Sequence, residues 1–279
     1  MRMVYARGGC AMPALGLGTW KMGEDSAKRG AEIAALQLGI DLGMTLLDSA
    51  EIYASGVAEE IVGEAVRGRR DQVFVVTKVH QTNASRNGTI ARAEASLRRL
   101  GTDWIDLYLI HNMGGPFAHE DTLEAFEHLR RSGKIRHFGV SNFDEVAMER
   151  SEAMAYGTGV TCNQLRYSLA RRGLDNGLYD WHARHKVAVM AYTPLEEGFL
   201  KPKPALSAVA RRHDVTPMCA ALAWTLRHPM VVSIPKASNP AHVRDNAKAL
   251  DIVLTAEDLA ELDRDYPRPP AGTFDVWTS

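Results

Sequence analysis

The sequence predicts an α/β chain closed into a (β/α)8 TIM barrel, with a β-hairpin at the N-terminus and a C-terminal tail over the barrel mouth. Two observations carry that expectation. Eight short β-branched or leucine-rich runs recur along the 279 residues, and nearly every pair is separated by a segment with apolar residues at helical spacing. Parallel strands need such crossovers, and eight βα units in roughly 250 residues are what a closed barrel requires. No composition shift, low-complexity tract or sequence repeat divides the chain, so residues 1–279 read as one barrel domain.

The opening MVYARGGCAMPAL reads as the hairpin, with Gly8 and Gly9 at its turn and the barrel bottom as its place. Residues 15–18 are the first expected strand, and the helix over 26–42 carries Ile33, Leu36 and Ile40 on one face. A strand over 45–47 and a helix over 58–66 make the second unit. VFVVTKV, residues 73–79, is apolar enough for a buried strand, and the helix over 89–100 aligns Ile90, Ala93 and Leu97. Strands over 104–110, 134–140, 160–165, 187–192 and 231–234 alternate with helices over 122–131, 144–155, 174–184, 205–212 and 240–249. After Thr255, TAEDLAELD reads as an N-capped helix, and DYPRPPAGTFDVW is too irregular for core.

Composition narrows the partners. Apolar residues make up 46% and charged residues 24%, and the formal net charge of −1 leaves no basic excess for nucleic acid or a membrane surface. A small molecule is the default partner. Cys10, Cys162 and Cys219 have no CxxC spacing and cannot form an even disulfide framework, which fits a reducing cytoplasm. No apolar run reaches the roughly 18 to 20 residues of a membrane span.

Barrel chemistry gathers where strands end, so the residues at those ends matter most. Asp48 follows Leu47; Lys78 closes VFVVTKV; WIDLYLI runs into His111 and Asn112. Later strands deliver Ser141 and Asn142, then Asn163 and Gln164, then Tyr192 and Thr193, and finally Lys236. Each alone has a bland explanation: a turn-forming aspartate, a snorkelling lysine, a satisfied histidine. Their joint occurrence on consecutive strands does not.

Adjacent strands lie about 4.8 Å apart, so Asp48, Lys78 and His111 would meet over the mouth, with Tyr53 folding back from the loop after Asp48. A tyrosine of pKa about 10 is a reluctant acid near neutral pH, and a neighbouring ammonium would lower that value. Asp48 would keep the lysine charged, and His111 would orient a carbonyl oxygen. The set reads as a general acid protonating an oxygen as negative charge develops there.

The ten histidines are scattered without metal-ligand spacing, and His119 with Glu120 reads as a helix cap. No metal is expected, and the reducing equivalent must come from a bound cofactor. GLGTWK lacks the third glycine of a dinucleotide loop. In a barrel, nicotinamide would lie across the mouth instead.

The stretches LGLGTW, GMTLLDSAEIY, TKV, DLYLIH, GKIRHFGVSNF, CNQLRYS, MAYTPL and IPKASNPAHVRDN stand in order at successive strand ends. Through them the chain resembles the aldo-keto reductases, NAD(P)H-dependent carbonyl reductases on a (β/α)8 barrel, and within them the bacterial methylglyoxal reductase and diketogluconate reductase branch. The resemblance implies Tyr53 as general acid, Lys78 and Asp48 as its supporting ion pair and His111 as the carbonyl-orienting residue. It implies Ser141, Asn142 and Gln164 on the nicotinamide carboxamide, Tyr192 on the ring, and Gly18, Thr19, Trp20 and Asp48 beside cofactor and substrate. Thr193 and Leu195 would line the pyrophosphate path, and Lys236, Ser238, His242, Arg244 and Asn246 the adenosine end.

Many relatives carry, where this chain has His242, an arginine that pairs with the 2′-phosphate of NADPH, and an imidazole holds that phosphate less well; Lys236 and Arg244 keep positive charge nearby, so NADPH is favoured with NADH use left open. Trp20, Ile52, His80, Asn112 and Trp277 are the expected substrate pocket. The polar His80 and Asn112 suit small or hydroxylated carbonyls such as methylglyoxal or sugar-derived ketones. The resemblance also implies a monomer. The alternative is a barrel that binds NAD(P)H as a regulatory or redox-sensing subunit without significant turnover.

Overall fold

The computed structural model describes residues 2–276 apart from 155, 156 and 158. A two-stranded antiparallel hairpin comes first, β1 (Met3–Tyr5) with β2 (Ala11–Pro13), turning through Gly8 and Gly9 at φ 68° and 74°. Arg7 in that turn ties it to the start of two barrel strands: its backbone N–H donates to the Lys186 carbonyl at 2.8 Å and its Nε to the Val160 carbonyl at 2.7 Å. With Met12 and Cys10 fully buried, the hairpin closes the barrel bottom, as the sequence suggests.

Eight parallel strands follow: β3 (Gly16–Gly18), β4 (Leu46–Asp48), β5 (Phe74–Val79), β6 (Ile105–Ile110), β7 (Ile135–Ser141), β8 (Cys162–Arg166), β9 (Ala188–Tyr192) and β10 (Val231–Ser233). Each pairs with its sequence neighbour in unbroken order. The ring closes where Leu15 bridges Ser233 and the Gly18 N–H donates to the Pro235 carbonyl at 3.1 Å. Closure removes the exposed edges of an open sheet. At the seam Gly18 has no room for a side chain, since a Cβ there would stand 3.0 Å from the Ile234 carbonyl oxygen.

The helices are α1 (Arg29–Asp41), α2 (Val57–Ala65), α3 (Arg86–Leu100), α4 (His119–Arg131), α5 (Glu145–Ala153), α6 (Leu178–His185), α7 (Pro204–Arg212), α8 (Pro217–Thr225), α9 (Pro240–Ala247) and α10 (Ala256–Asp265). Local chemistry sets many of their starts: Ser85, Asp144, Thr216 and Asn239 each accept a backbone N–H at an N-cap, and Thr255 forms a capping box with Asp258. Sequence periodicity does not anticipate α8. Every residue from Cys219 to Thr225 is buried, so it shows no apolar stripe. Thr216 followed by Pro217 was its readable signal.

His119 does not cap α4. Ala118 holds that position without a side-chain bond, while His119 turns inward, its Nε2 2.9 Å from Ser151 Oγ and its ring against Phe143. Burial is the main cause that brings its pKa down to about 4, so it is neutral at physiological pH. The tail beyond α10 runs back along the loop after β8, where the Gly173 N–H donates to Asp275 at 2.7 Å.

Two glycines should respond in opposite directions to substitution. A Cβ on Gly139 would lie 2.4 Å from the Cys162 carbonyl oxygen, so Gly139→Ala is expected to destabilise by about 1–3 kcal/mol. Gly30, exposed in the first turn of α1 with nothing near its Cβ position, should gain about 0.5–1 kcal/mol as alanine. Urea unfolding midpoints of both variants check the pair.

Candidate active site

At the C-terminal ends of the strands a buried ion pair comes together. Lys78 on β5 has no solvent exposure, and its Nζ donates to Asp48 Oδ2 at 2.9 Å and to the Ser49 carbonyl at 2.7 Å. The other Asp48 oxygen accepts from Gln164 Nε2 at 2.9 Å. Thr19 donates both its backbone N–H and its Oγ1 hydroxyl to the Asp48 carbonyl, each at 3.0 Å. Strands β4, β5 and β8 therefore meet at one carboxylate, and the loop after β3 is tied to the backbone of the same residue.

Tyr53 lies beside this pair in a short helical turn, its ring centroid 5.1 Å from Lys78 Nζ. Trp20 packs on it edge-on with centroids 4.9 Å apart, and the His111 ring meets it at 5.7 Å. His80 stands 6.3 Å beyond His111, ring to ring. The four residues expected from the sequence to form one constellation are brought together.

Their electrostatics differ in one respect from the sequence expectation. Burial is the largest influence on Tyr53 and raises its pKa; the Lys78 charge works the other way without overcoming it. The ligand-free phenol therefore keeps its proton at neutral pH. Burial also opposes the Lys78 charge, but Asp48 and Tyr53 outweigh it and the pKa stands above the ordinary lysine value. Burial first, then Lys78 and His80, holds His111 well below the usual imidazole range. Neutral, it has one ring N–H to donate, and its buried Nδ1 has no partner among the described residues.

Glu51 is a functional neighbour that the sequence reading passes over. Its Oε1 accepts from the His80 backbone N–H at 2.8 Å and Asn83 Nδ2 at 2.9 Å, tying the Tyr53 loop to the end of β5. A carboxylate between Asp48 and Tyr53 carries no spacing that marks it as buried. Beyond Tyr53 the chain takes three left-handed residues in succession, Ala54, Ser55 and Gly56, at φ 47°, 55° and 97°.

The remaining predicted residues divide by position. Ser141 donates to the Gln164 carbonyl at 2.9 Å, Asn142 donates to Asn112 Oδ1 at 2.5 Å, and Tyr192 donates to Asn142 Oδ1 at 2.9 Å. Thr193, at φ 47°, keeps a buried hydroxyl without a partner among the described residues, and Leu195 is half-buried just after it. Lys236 donates to Ser238 Oγ at 2.8 Å. His242 and Arg244 are exposed on α9 while Asn246 faces inward. Trp20 and Ile52 are exposed at the mouth, and Thr19 is fully buried against Asp48. Trp277 lies outside the described residues.

An ion pair joins Lys21, past β3, to Glu197, past β9, at 3.2 Å. It spans the mouth from the first strand to the seventh.

The aldo/keto reductase family profile matches residues 14–266. Methylglyoxal reductase YeaE of Escherichia coli strain K12 is 44% identical over 278 residues, covering 98% of this chain and 97% of that protein. Methylglyoxal reductase DkgB of Salmonella typhi is 29% identical over 275 residues, covering 95% and 99%. Among solved structures, an aldo-keto reductase from Klebsiella pneumoniae in complex with NADPH is 45% identical, with a TM-score of 0.94 and 99% of both chains covered.

Tyr53 ionisation can be read directly. In the ligand-free protein, the absorbance at 295 nm of the wild type minus Tyr53→Phe should show no tyrosinate up to about pH 10, the ordinary value. A transition near pH 8 would mean that Lys78 outweighs burial.

With the geometry at the strand ends, the fold and these relatives in agreement, the chain belongs to the aldo/keto reductase family, oxidoreductases of aldehyde and ketone carbonyls.

Proposed function

We propose that this chain reduces small aldehydes and ketones to alcohols with NADPH, using Tyr53 as general acid. The observation that carries the assignment is the convergence of a protonated phenol, a buried ammonium and a neutral imidazole at one end of the barrel. The nicotinamide, when bound, supplies the hydride. Tyr53 gives its phenolic proton to the carbonyl oxygen as charge develops there, and the Lys78 ammonium stabilises the phenolate that remains. Asp48 keeps Lys78 charged and fixed. His111 donates its ring N–H to the same oxygen and sets the orientation of the carbonyl.

The residues fit a nicotinamide cofactor. Gln164 directs its amide nitrogen to Asp48, which turns its carbonyl oxygen into the acceptor a carboxamide NH2 needs. Asn142 supplies the donor side with its Nδ2, beside Ser141, and the unpartnered Thr193 hydroxyl suits a pyrophosphate oxygen. Lys236 has no ion-pair partner among the described residues and stands beside Ser238, with His242 and Arg244 exposed nearby; this is the cationic end for a 2′-phosphate.

Small, polar carbonyls suit the pocket, because exposed Trp20 and Ile52 leave it open and His80 borders it with a polar ring. The similarity to two methylglyoxal reductases supports methylglyoxal as the first substrate to test.

Tyr53→Phe should lower NADPH oxidation with methylglyoxal, followed at 340 nm, by roughly 10²–10⁴-fold, while NADPH binding by fluorescence quenching stays near wild type. Wild-type turnover in that variant would remove Tyr53 as the acid. His242→Arg should lower the Michaelis constant for NADPH and leave that for NADH unchanged, since only NADPH carries the 2′-phosphate. An unchanged NADPH/NADH ratio would exclude residue 242 from cofactor choice.

A further inference from the structure

Asn112 stands two residues past β6, where the sequence expects it to face substrate. Its side chain instead meets Asn142, and Tyr192 meets Asn142 from the opposite end. A line of three polar side chains thus crosses the mouth from the end of β6 to the end of β9. Asn142 itself sits in the left-handed region at φ 61°, with its backbone N–H on the Gln164 carbonyl at 2.9 Å. Its backbone is held, so the open question is which end of its amide is nitrogen.

Tyr192 cannot decide that, because a phenol can donate or accept. Nor can Asn112 by itself, since both amides turned over together would still pair. Ser141 decides: its hydroxyl hydrogen goes to the Gln164 backbone carbonyl, so toward Asn142, 3.3 Å away, Ser141 Oγ acts as acceptor and the facing atom is Nδ2. Asn112 then meets the same nitrogen with its Oδ1 at 2.5 Å. The Ser141 contact is the longer and weaker of the two, and the one an arriving acceptor can share.

We infer that Asn112 is a positioning residue for the nicotinamide end of the cofactor, holding the Asn142 amide so that it offers a donor to the carboxamide. The inference deepens the proposed function and rests on Asn142 meeting that carboxamide. It moves Asn112 out of the set that recognises the carbonyl substrate.

The test measures binding of NADPH and NADP+, and of 2′,5′-ADP, which carries the adenosine half alone. Asn112→Leu, without an acceptor, should weaken both full cofactors about three- to tenfold, the range of one lost hydrogen bond. It should leave 2′,5′-ADP binding, which also reports folding, and the Michaelis constant for methylglyoxal at saturating NADPH unchanged. Asn112→Asp keeps an acceptor and should restore cofactor affinity. Equal weakening by leucine and aspartate, or a raised methylglyoxal constant with cofactor binding intact, would overturn the positioning role.

An Asn142→Ala background separates the two levels. There Asn112→Leu should add no further loss, as for residues acting through one another. Weakened binding in Asn142→Ala but not in Asn112→Leu would overturn this inference alone. Unchanged cofactor binding in Asn142→Ala would overturn the carboxamide assignment and the inference with it.

Discussion

Placing the Lys78 ammonium inside the ring of strands, without exposure to water, costs several kcal/mol of lost hydration unless it is paired and hydrogen-bonded. Asp48 and the Ser49 carbonyl meet that need on one side of the lysine. The requirement then propagates. Asp48 has a second oxygen, which the Gln164 side-chain amide satisfies, while the Gln164 backbone carbonyl accepts from the Ser141 hydroxyl and the Asn142 N–H and ties that residue to the end of β7. One buried charge on β5 thereby orders polar side chains on β4 and β8. A charge that cannot leave water cheaply determines how a good part of the mouth is arranged.

Tyr53 is held differently from the ion pair. Lys78 and Asp48 stand on strands whose backbones are fixed by neighbours on both sides. Tyr53 stands on a loop, secured by the Glu51 carboxylate behind it, by Trp20 against its ring, and by the left-handed turn of Ala54 and Ser55. Two consecutive non-glycine residues in that region carry a local cost of about 1 kcal/mol or more each. The surrounding packing holds the strain, and Gly23 leaves room for it, with Ala54 and Val57 where a side chain would otherwise be.

Most of the fold was legible because its signals are local. Strands such as VFVVTKV and IDLYLI are buried on both faces and read as continuous apolar runs. Periodicity hid α8, since a helix buried all round has no apolar stripe, and only Thr216 with Pro217 marked its start. The site was legible in part for the same reason as the strands: Asp48, Lys78 and His111 interrupt apolar runs at their ends. The resemblance then supplied the roles. Glu51 and the sideways turn of Asn112 left no trace, because whether a loop residue is buried, and which neighbour it meets, depends on elements distant along the chain.

By itself the sequence determined the order of the strands and of the helices between them other than α8, the residues at the strand ends and the family to which they belong, all of which follow from side-chain type and spacing along the chain. Only the tertiary structure decided the state of the phenol and the direction of the amides. Burial of Tyr53 exceeds the pull of Lys78, and Asn142 is gripped between Asn112 and Tyr192. Desolvation and hydrogen-bond direction are properties of the assembled surroundings, in which the contributing groups come from strands far apart in sequence.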